Sequence, residues 1–490
     1  MKFQVFKDGQ PLKKFDFCGA YLFGTDGIAV RHARIKFKNG VIDCQKPTQE
    51  TAGLALVWPV SESQSILLPT TCLPERDRPY NLNVEIARAK LMQIVSKRED
   101  WSFFSNIEGL VESPKEAQKF FIRAIQNIAD APAASKLADQ TLKQACDFSE
   151  KLANKQAQLL FDARCKSRGF GRGCLGCTVE PGQIHNPKYI NKLMELFGFV
   201  TIPVNWAQIE SEKGVYDFSA LDTCVNVLAR RKLAIAAGPL LCFSKQYLPK
   251  WLLHKSMSFG KIRDAAYQFL TEVVGRYAGS VRAWRVISGL NIYNHFGFSF
   301  EQVLEMTRAS NMAVKQTSDR AIRIIEISNP WGEYYSSVPH TIPPLVYLDM
   351  VAQSGINFNA FGLQMRFGKK QNGMLPRDML QVSAVLDYFA NLGKPLYISD
   401  VEIPGQSGDS NSNGEPDNLF GNWGQLQQGQ WIEQFYRIAL SKPFVDCVSY
   451  SNLADRKDSI IAESGLLTEN LNYKNSFQKL KQLRELIFNR

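Results

Sequence analysis

The chain has 490 residues, of which 45% are hydrophobic and 21% are charged, the balance of a soluble globular protein. No apolar run reaches the roughly 18 residues that a transmembrane helix needs, so we expect no membrane partner. The net charge of +11 comes from lysines and arginines spread along the chain. Because they form no basic runs interleaved with aromatic residues, we expect no nucleic-acid partner either.

The N-terminal sequence and the cysteines indicate a reducing compartment. The first 15 residues lack the apolar stretch of about 7–15 residues that a secretory signal carries, so we expect a cytoplasmic protein. The ten cysteines are scattered, and we expect them to be thiols. Cys174 and Cys177 form a single CxxC pair, whereas a zinc site of this type needs a second pair. The sequence therefore predicts no metal and no cofactor.

The first 165 residues divide into a β-rich part and a helical part. In residues 1–78, short apolar or alternating runs are separated by Asp-Gly and Asn-Gly pairs, which are hairpin signals. This pattern predicts a small module of the sandwich or jelly-roll type. In residues 79–165 apolar positions recur at helical spacing, and Ser113 before Pro114 is typical of a helix start. We expect this helical segment to brace the region that follows.

Residues 166–490 alternate between strand-like and helix-like patterns. The eight β-rich runs are 174–179, 199–204, 233–241, 281–287, 321–327, 356–363, 395–401 and 444–450. The amphipathic helices between them are 187–197, 220–231, 262–277, 300–316, 343–355, 376–392 and 427–440. Such alternation implies parallel βαβ units, and eight of them predict an α/β fold, the (β/α)₈ or TIM barrel. An open doubly wound sheet is the alternative, but no Gly-rich phosphate fingerprint follows any strand.

Six segments of this region, in chain order, resemble glycoside hydrolase family ten, the xylanase barrel. They are 200–218, 248–251 (an L-P-x-W motif), 274–286, 361–364, 394–402 and 453–467. The resemblance covers about residues 170–475 and includes nothing before residue 165. It implies a TIM barrel that acts on a β-linked glycan or oligosaccharide, like an endo-1,4-beta-xylanase.

The catalytic positions depart from the family pattern. Family members use a retaining mechanism, with two carboxyl groups roughly 5–5.5 Å apart. The acid/base glutamate follows an asparagine at the end of strand four, and Ser288 and Gly289 stand at that pair here. The nucleophile position on strand seven holds Asp400. An aspartate reaches about 1 Å less than a glutamate, and such a misplacement can cost roughly 10²-fold in rate.

Other carboxyl groups are therefore candidates for the missing role. Strand alternation puts Asp400 and Glu402 on one face, so either is a candidate nucleophile. Arg366, at the end of the neighbouring strand six, is placed to keep one of them ionised. Glu333, flanked by aromatic residues after strand five, is the candidate acid/base because an apolar wall raises a carboxyl pKa. A structural role for Glu333 and for Glu402 remains the alternative.

Seven further residues are candidate sugar contacts. They lie at or near strand ends and offer an amide, a guanidinium or an aromatic face: Asn205, Trp206, Asn291, Trp331, Gln364, Arg366 and Tyr450. Trp206 and Trp331 have a packing role as their alternative. The loop 404–424 after strand seven is polar and long enough to form a lid over the barrel mouth.

Three functions stay open. The sequence favours an active glycosidase with shifted catalytic groups over a catalytically inactive, carbohydrate-binding pseudoenzyme. An unrelated barrel chemistry or a structural role is the third. The geometry of the carboxyl groups separates them, because a retaining enzyme needs two carboxyls about 5–5.5 Å apart and an inverting enzyme roughly 6.5–9.5 Å.

Overall fold

The computed structural model describes residues 1–61, 64–102, 114–254, 257–406, 420–421 and 423–488. Among these residues, no helix is both long and apolar enough to cross a bilayer. The N-terminal strands are β1 (Lys2–Gln4), β2 (Phe6–Lys7), β3 (Gln10–Pro11), β4 (Tyr21–Phe23), β5 (Arg34–Lys38), β6 (Val41–Gln45), β7 (Gly53–Ser61), β8 (Gln64–Pro69) and β9 (Tyr80–Asn81).

These strands form the β-rich module that the sequence predicted. One sheet has the order β5-β6-β1-β9 and another the order β4-β7-β8, while β2 and β3 pair as a short hairpin. The β5–β6 turn contains Asn39 and Gly40, both with positive φ, as an Asn-Gly hairpin turn requires. Inward residues such as Phe3, Ile42 and Trp58 share one hydrophobic core.

Three helices connect this module to the rest of the chain: α1 (Leu82–Ser102), α2 (Lys115–Gln126) and α3 (Ala131–Lys166). Asp130 caps α3, since its side chain accepts a hydrogen bond from the Ala133 amide at 3.1 Å. Ser113, the expected start of α2, lies outside the described residues. Residues of α1 and α3 belong to the module's core and also to the barrel's core, so the helical segment joins the two.

The barrel follows. Its strands are β10 (Leu175–Thr178), β11 (Phe199–Ile202), β12 (Ala234–Ala237), β13 (Leu241–Cys242), β14 (Val281–Ser288), β15 (Ile322–Ile327), β16 (Ala360–Arg366), β17 (Leu396–Glu402) and β18 (Val445–Tyr450). Its helices are α4 (Pro187–Leu196), α5 (Trp206–Ile209), α6 (Ser219–Arg230), α7 (Phe259–Tyr277), α8 (Phe300–Thr317), α9 (Pro344–Gln353), α10 (Met379–Ala390), α11 (Gln425–Ser441) and α12 (Asn475–Phe488).

The parallel strands close into a ring. The order of the described strands is β12-β11-β10-β18-β17-β16-β15-β14, and β14 pairs back with β12. The predicted (β/α)₈ barrel is therefore confirmed, and the open doubly wound sheet is excluded. The third strand differs from its predicted range 233–241: it ends at Ala237, and the short β13 follows after Pro239, which has no N–H for a ladder hydrogen bond.

The N-terminal module packs against loops at the C-terminal end of the barrel. The Leu67 amide donates to the Pro376 carbonyl at 2.9 Å, and Gln381 donates to the Leu67 carbonyl at 2.9 Å. Arg31 donates to the Thr341 carbonyl at 2.8 Å. The module thus supports the loops that follow β15 and β16, on the face where TIM barrels carry their sites.

Candidate functional site

A cleft of about 870 Å³ opens at the C-terminal ends of the barrel strands. Among the described residues, seven of the eight strands contribute to its lining, either directly or through the loop that follows. Parallel strands end at the same edge, so polar residues at these ends converge whatever their distance along the chain. Cleft residues with a charge or an aromatic ring are Glu180, Tyr189, Asp217, Tyr247, Arg285, Tyr293, Arg366, Asp400, Glu402, Arg456 and Asp458.

Asp400 and Glu402 enter this cleft together because they are alternate residues of β17. Both are buried, with 5% and 4% of their surface exposed. Arg366 Nε lies 2.9 Å from Asp400 Oδ2 and 3.5 Å from Glu402 Oε2. The two oxygens are therefore no more than about 6.4 Å apart, closer than the roughly 6.5–9.5 Å of an inverting carboxyl pair.

The two carboxyl groups differ in their other partners. Asp400 also accepts a hydrogen bond from the Ser451 hydroxyl. Glu402 Oε1 accepts from Asn452, Ser459 and Ser464 at 3.0, 3.1 and 2.7 Å. Burial raises the pKa of Glu402 above its usual value, and the Asp400 charge adds to this, although Arg366 opposes it. Glu402 therefore takes up a proton at a higher pH than an ordinary glutamate does.

Arg366 stays charged between these carboxylates. Burial lowers the pKa of its guanidinium, but the charges of Asp400 and Glu402 more than offset burial and raise this pKa above its ordinary value. Arg366 thus holds both side chains in place and compensates their charge, the role that its position at the end of β16 suggested.

A second carboxylate network, which the sequence reasoning missed, lies below the cleft. Glu326 of β15 is fully buried and accepts hydrogen bonds from Ser288 at 2.6 Å and from Gln364. Arg285 Nη1 lies 3.2 Å from its other oxygen. The signal was a glutamate inside the otherwise aliphatic run 324–327, since a buried charge of this kind needs dedicated partners.

Gly289 stands where the family carries its acid/base glutamate, and its surroundings leave no space for a side chain. Its φ of +62° is in the left-handed region that favours glycine. A Cβ atom there would lie 2.5 Å from Tyr293 Cδ2 and 2.6 Å from Ser328 Oγ. The backbone conformation at Gly289 and the ring of Tyr293 thus both exclude a glutamate side chain from this position.

The structure places Glu333 away from the cleft lining among the described residues. Its carboxylate accepts from the Gly373 amide at 2.9 Å and pairs with Arg377 Nη2 at 3.1 Å. Arg377 in turn stacks over Trp331, with 4.6 Å between its guanidinium carbon and the ring centroid. Arg377 thus joins Glu333 to Trp331, and neither of these two is among the described residues that line the cleft with Asp400 and Glu402.

The remaining candidate contacts fall into two sets. Asn205, Gln364 and Arg366 line the cleft. Trp206, Asn291 and Tyr450 are buried outside the lining. The Trp206 indole donates to Glu210, the Asn291 Nδ2 to Ser328 and Tyr334, and the Tyr450 hydroxyl to Ser464. Most of the expected lid, 407–419 and 422, lies outside the described residues, so the lid stays a prediction.

The fold is a TIM barrel with buried carboxyl groups at the C-terminal ends of its strands. Residues 166–293 match the model of glycosyl hydrolase family 10. The matched residues run from the end of α3 to the loop after β14, and so include the first four strand positions of the barrel.

Part of the chain is also similar to proteins of known sequence. Endo-1,4-beta-xylanase 3 of Hypocrea jecorina is 27% identical over 149 residues, which are 30% of this chain and 41% of that protein. Endo-1,4-beta-xylanase A of Xylanibacter ruminicola is 25% identical over 122 residues, 23% of this chain and 32% of the relative. The chain thus spans less than half the length of the curated relatives that it matches.

Solved structures show the same fold. Xylanase 10B of Thermotoga maritima superposes with a TM-score of 0.50 at 18% identity, over 64% of this chain and 96% of that chain. Xylanase 10B of Thermotoga petrophila, in complex with xylobiose, has a TM-score of 0.50 at 17% identity, over 69% of this chain and 97% of that chain.

Proposed function

We propose that this protein is a glycosidase that hydrolyses β-linked O-glycosidic bonds of a xylan-type oligosaccharide or polysaccharide, with Asp400 as nucleophile. The observation that carries the proposal is the position of Asp400. It lies at the family's nucleophile position on β17, faces the cleft, and is held by Arg366 and Ser451. The guanidinium of Arg366 compensates the negative charge that a carboxylate nucleophile carries.

Glu402 supports this nucleophile. It lies beside Asp400 on the same strand and shares Arg366 with it, so both carboxyls approach a bound sugar from the same side. A retaining pair acts from opposite sides of the scissile bond, as acid and nucleophile. We therefore propose that Glu402 positions Arg366 and Asn452 and does not act as the acid. We propose sugar contacts for Asn205, Gln364 and Arg366, which line the cleft.

Binding without hydrolysis is the second candidate function. Gly289 favours it, because no side chain at that position can donate a proton to a leaving group. A glycan remains the ligand in this alternative, and the relative from Thermotoga petrophila binds xylobiose. A cytoplasmic location, which the sequence favours, remains a prediction that cell fractionation would test.

The test is reducing-sugar release from xylans, β-glucans and short β-linked oligosaccharides, with Asp400→Asn and Glu402→Gln beside the parent. Loss of turnover in Asp400→Asn, by about 10²-fold or more, would support the proposal. Glu272→Gln, an exposed carboxyl on the outer helix α7, is the matched control. Release that Asp400→Asn leaves unchanged contradicts the nucleophile assignment, and binding by calorimetry without any release identifies the binding-only barrel.

A further inference from the structure

Among the described residues, the end of β14 offers no carboxyl group to face Asp400, so the proposed hydrolysis still needs a proton donor for the departing oxygen. In the ring of strands, β15 and β16 separate β14 from β17, and groups at the ends of β14 and β17 therefore meet across the cleft. The end of β14 is where family members carry the acid/base glutamate. Here that end is Ser288 and Gly289, followed by Tyr293.

Tyr293 fills the space that the glutamate would take. Its amide donates to the Gly289 carbonyl at 2.7 Å, which folds the segment back onto the glycine. Its ring lies within van der Waals reach of Gly289, as the 2.5 Å distance from a hypothetical Cβ shows. The side chain is half-buried and lines the cleft, and the charge of Arg366 acts on its phenol.

The phenol of Tyr293 also carries the proton that a donor to the departing oxygen needs. Burial raises the pKa of Tyr293 above its ordinary value, so the hydroxyl carries its proton at neutral pH. The nearby Arg366 guanidinium opposes this shift, which means that it favours the phenolate once the proton has left. A protonated donor with a cation beside it is the arrangement that general-acid catalysis uses.

We propose that Tyr293 is the general acid of this barrel, a phenol in place of the family's glutamate. The inference rests on the proposed glycosidase function. Asp400 attacks the anomeric carbon, the glycosidic C–O bond breaks, and the leaving oxygen takes the phenolic proton. A water molecule then attacks the anomeric carbon of the Asp400 ester and gives its proton to the Tyr293 phenolate, which restores both side chains.

The test compares two substrates in the full-length protein and in Tyr293→Phe. Xylotriose has a leaving group that needs a proton, whereas 4-nitrophenyl β-xylobioside has one that leaves without protonation. We expect Tyr293→Phe to lower kcat on xylotriose by roughly 10²- to 10⁴-fold. With the aryl substrate we expect a burst of nitrophenol stoichiometric with enzyme and then slow turnover, because water attack has lost its base. Tyr388→Phe, an exposed tyrosine of α10, is the control.

Each failure has its own pattern. If the parent hydrolyses neither substrate, the proposed function fails, and the role of Tyr293 with it. If the parent is active and Tyr293→Phe matches it on xylotriose, only the assignment of Tyr293 is overturned. Loss of the burst together with loss of turnover overturns it as well, since it indicates structural damage. If Tyr247→Phe instead shows the burst pattern, Tyr247 of the same cleft is the acid.

A second readout does not depend on removing the hydroxyl. Incorporation of 3-fluorotyrosine lowers phenol pKa values while it keeps the shape of the ring. We expect the alkaline limb of the kcat/KM profile on xylotriose to move to lower pH in the parent, and no such movement in Tyr293→Phe. A structural role of Tyr293 would leave the limb in place, and that outcome would overturn the proposal.

Discussion

Arg366 is the cation on which two buried carboxylates depend. Asp400 and Glu402 have 7% and 5% of their side chains exposed, and both contact its guanidinium. Removal of one partner from such a group leaves uncompensated buried charge, which costs about 3–5 kcal/mol. Arg366→Met should therefore lower the free energy of unfolding at pH 7 by about this amount.

The pH dependence of this loss follows from the carboxyl groups. Without the guanidinium, the rise that burial gives the pKa of Glu402 is larger, so the folded variant takes up a proton more readily than the unfolded chain does. The stability deficit should then shrink as the pH falls from 7 towards 4.5, measured by urea unfolding. The triple variant with Asp400→Asn and Glu402→Gln should recover most of the loss at pH 7. An equal deficit at both pH values would contradict this account.

A methyl group added at Gly289 tests how tightly Tyr293 and Ser328 pack around this residue. Gly289→Ala combines a positive φ with a methyl group placed against Tyr293 and Ser328. The left-handed backbone costs about 1–2 kcal/mol and overpacking about 1–3 kcal/mol, so we expect a loss of about 2–5 kcal/mol in urea unfolding. Gly182→Ala is the matched control, since no atom lies within 4 Å of its Cβ position. A similar effect for both variants would show that the Gly289 site relaxes freely.

Gly289 also shows which features of the site could be predicted from the sequence. The missing acid at Gly289 and the shared face of Asp400 and Glu402 are local features, which motif order and strand alternation reveal. The position of Glu333 depends on how the loop after β15 folds against the Gly373 amide and Arg377. The neighbour that covers Gly289 likewise depends on the turn after β14. Neither loop has a periodic pattern, so the sequence alone did not predict these contacts.

At the scale of secondary structure, one polar cluster joins α1 and α3 to the start of α10. Asp378 caps α10 and pairs with the buried Lys90 of α1. Glu150 of α3 accepts a hydrogen bond from the Met379 amide at 2.9 Å. Burial, followed by the Asp378 charge, raises the pKa of Glu150 to about 7, although the Met379 amide and Lys90 oppose this. We therefore expect the stability of this contact between α1, α3 and α10 to depend on pH.

Glu150→Gln tests that sensitivity. A carboxyl whose folded pKa is raised contributes stability below its unfolded pKa and loses it as the pH rises through the folded value. The parent should therefore lose, from this group, on the order of 2 kcal/mol between about pH 4.5 and pH 7, and Glu150→Gln should not. The measurement is urea unfolding at pH 5 and pH 8. Glu116→Gln, an exposed carboxyl of α2, is the control, and parallel behaviour of Glu150→Gln and the parent would refute the assignment.

The helices and strands could be predicted from the sequence to different degrees. Long amphipathic helices and aliphatic strands such as β15 have strong periodicity, and the structure confirms them. The third strand was predicted too long because its apolar run continues through Gly238 and Pro239, where the ladder hydrogen bonds stop. Apolarity alone does not distinguish a buried strand from a buried turn.

Over the whole molecule, two hydrophobic cores meet in the helical segment. Residues of α1 and α3 such as Ile86 and Leu142 belong to the core of the β-rich module, while Ile94 and Phe161 belong to that of the barrel. Arg164 at the end of α3 donates to the carbonyls of Leu440, Lys442 and Val445, at 2.9, 2.8 and 3.0 Å. The boundary near residue 165, where the resemblance begins, therefore divides one continuous packed structure.

This packing predicts how the barrel behaves when it is isolated. A fragment of residues 166–490 would expose the apolar faces of α10 and α11 that α3 covers, and would leave Asp378 without Lys90. We expect this fragment to bind a hydrophobic dye and to lack the near-ultraviolet circular dichroism of the full chain, which itself should unfold in one transition. A fragment starting at residue 82, with α1 to α3 retained, is the matched comparison and should keep more native signal. A soluble, cooperatively folded 166–490 fragment would show instead that the barrel's core is complete without these helices.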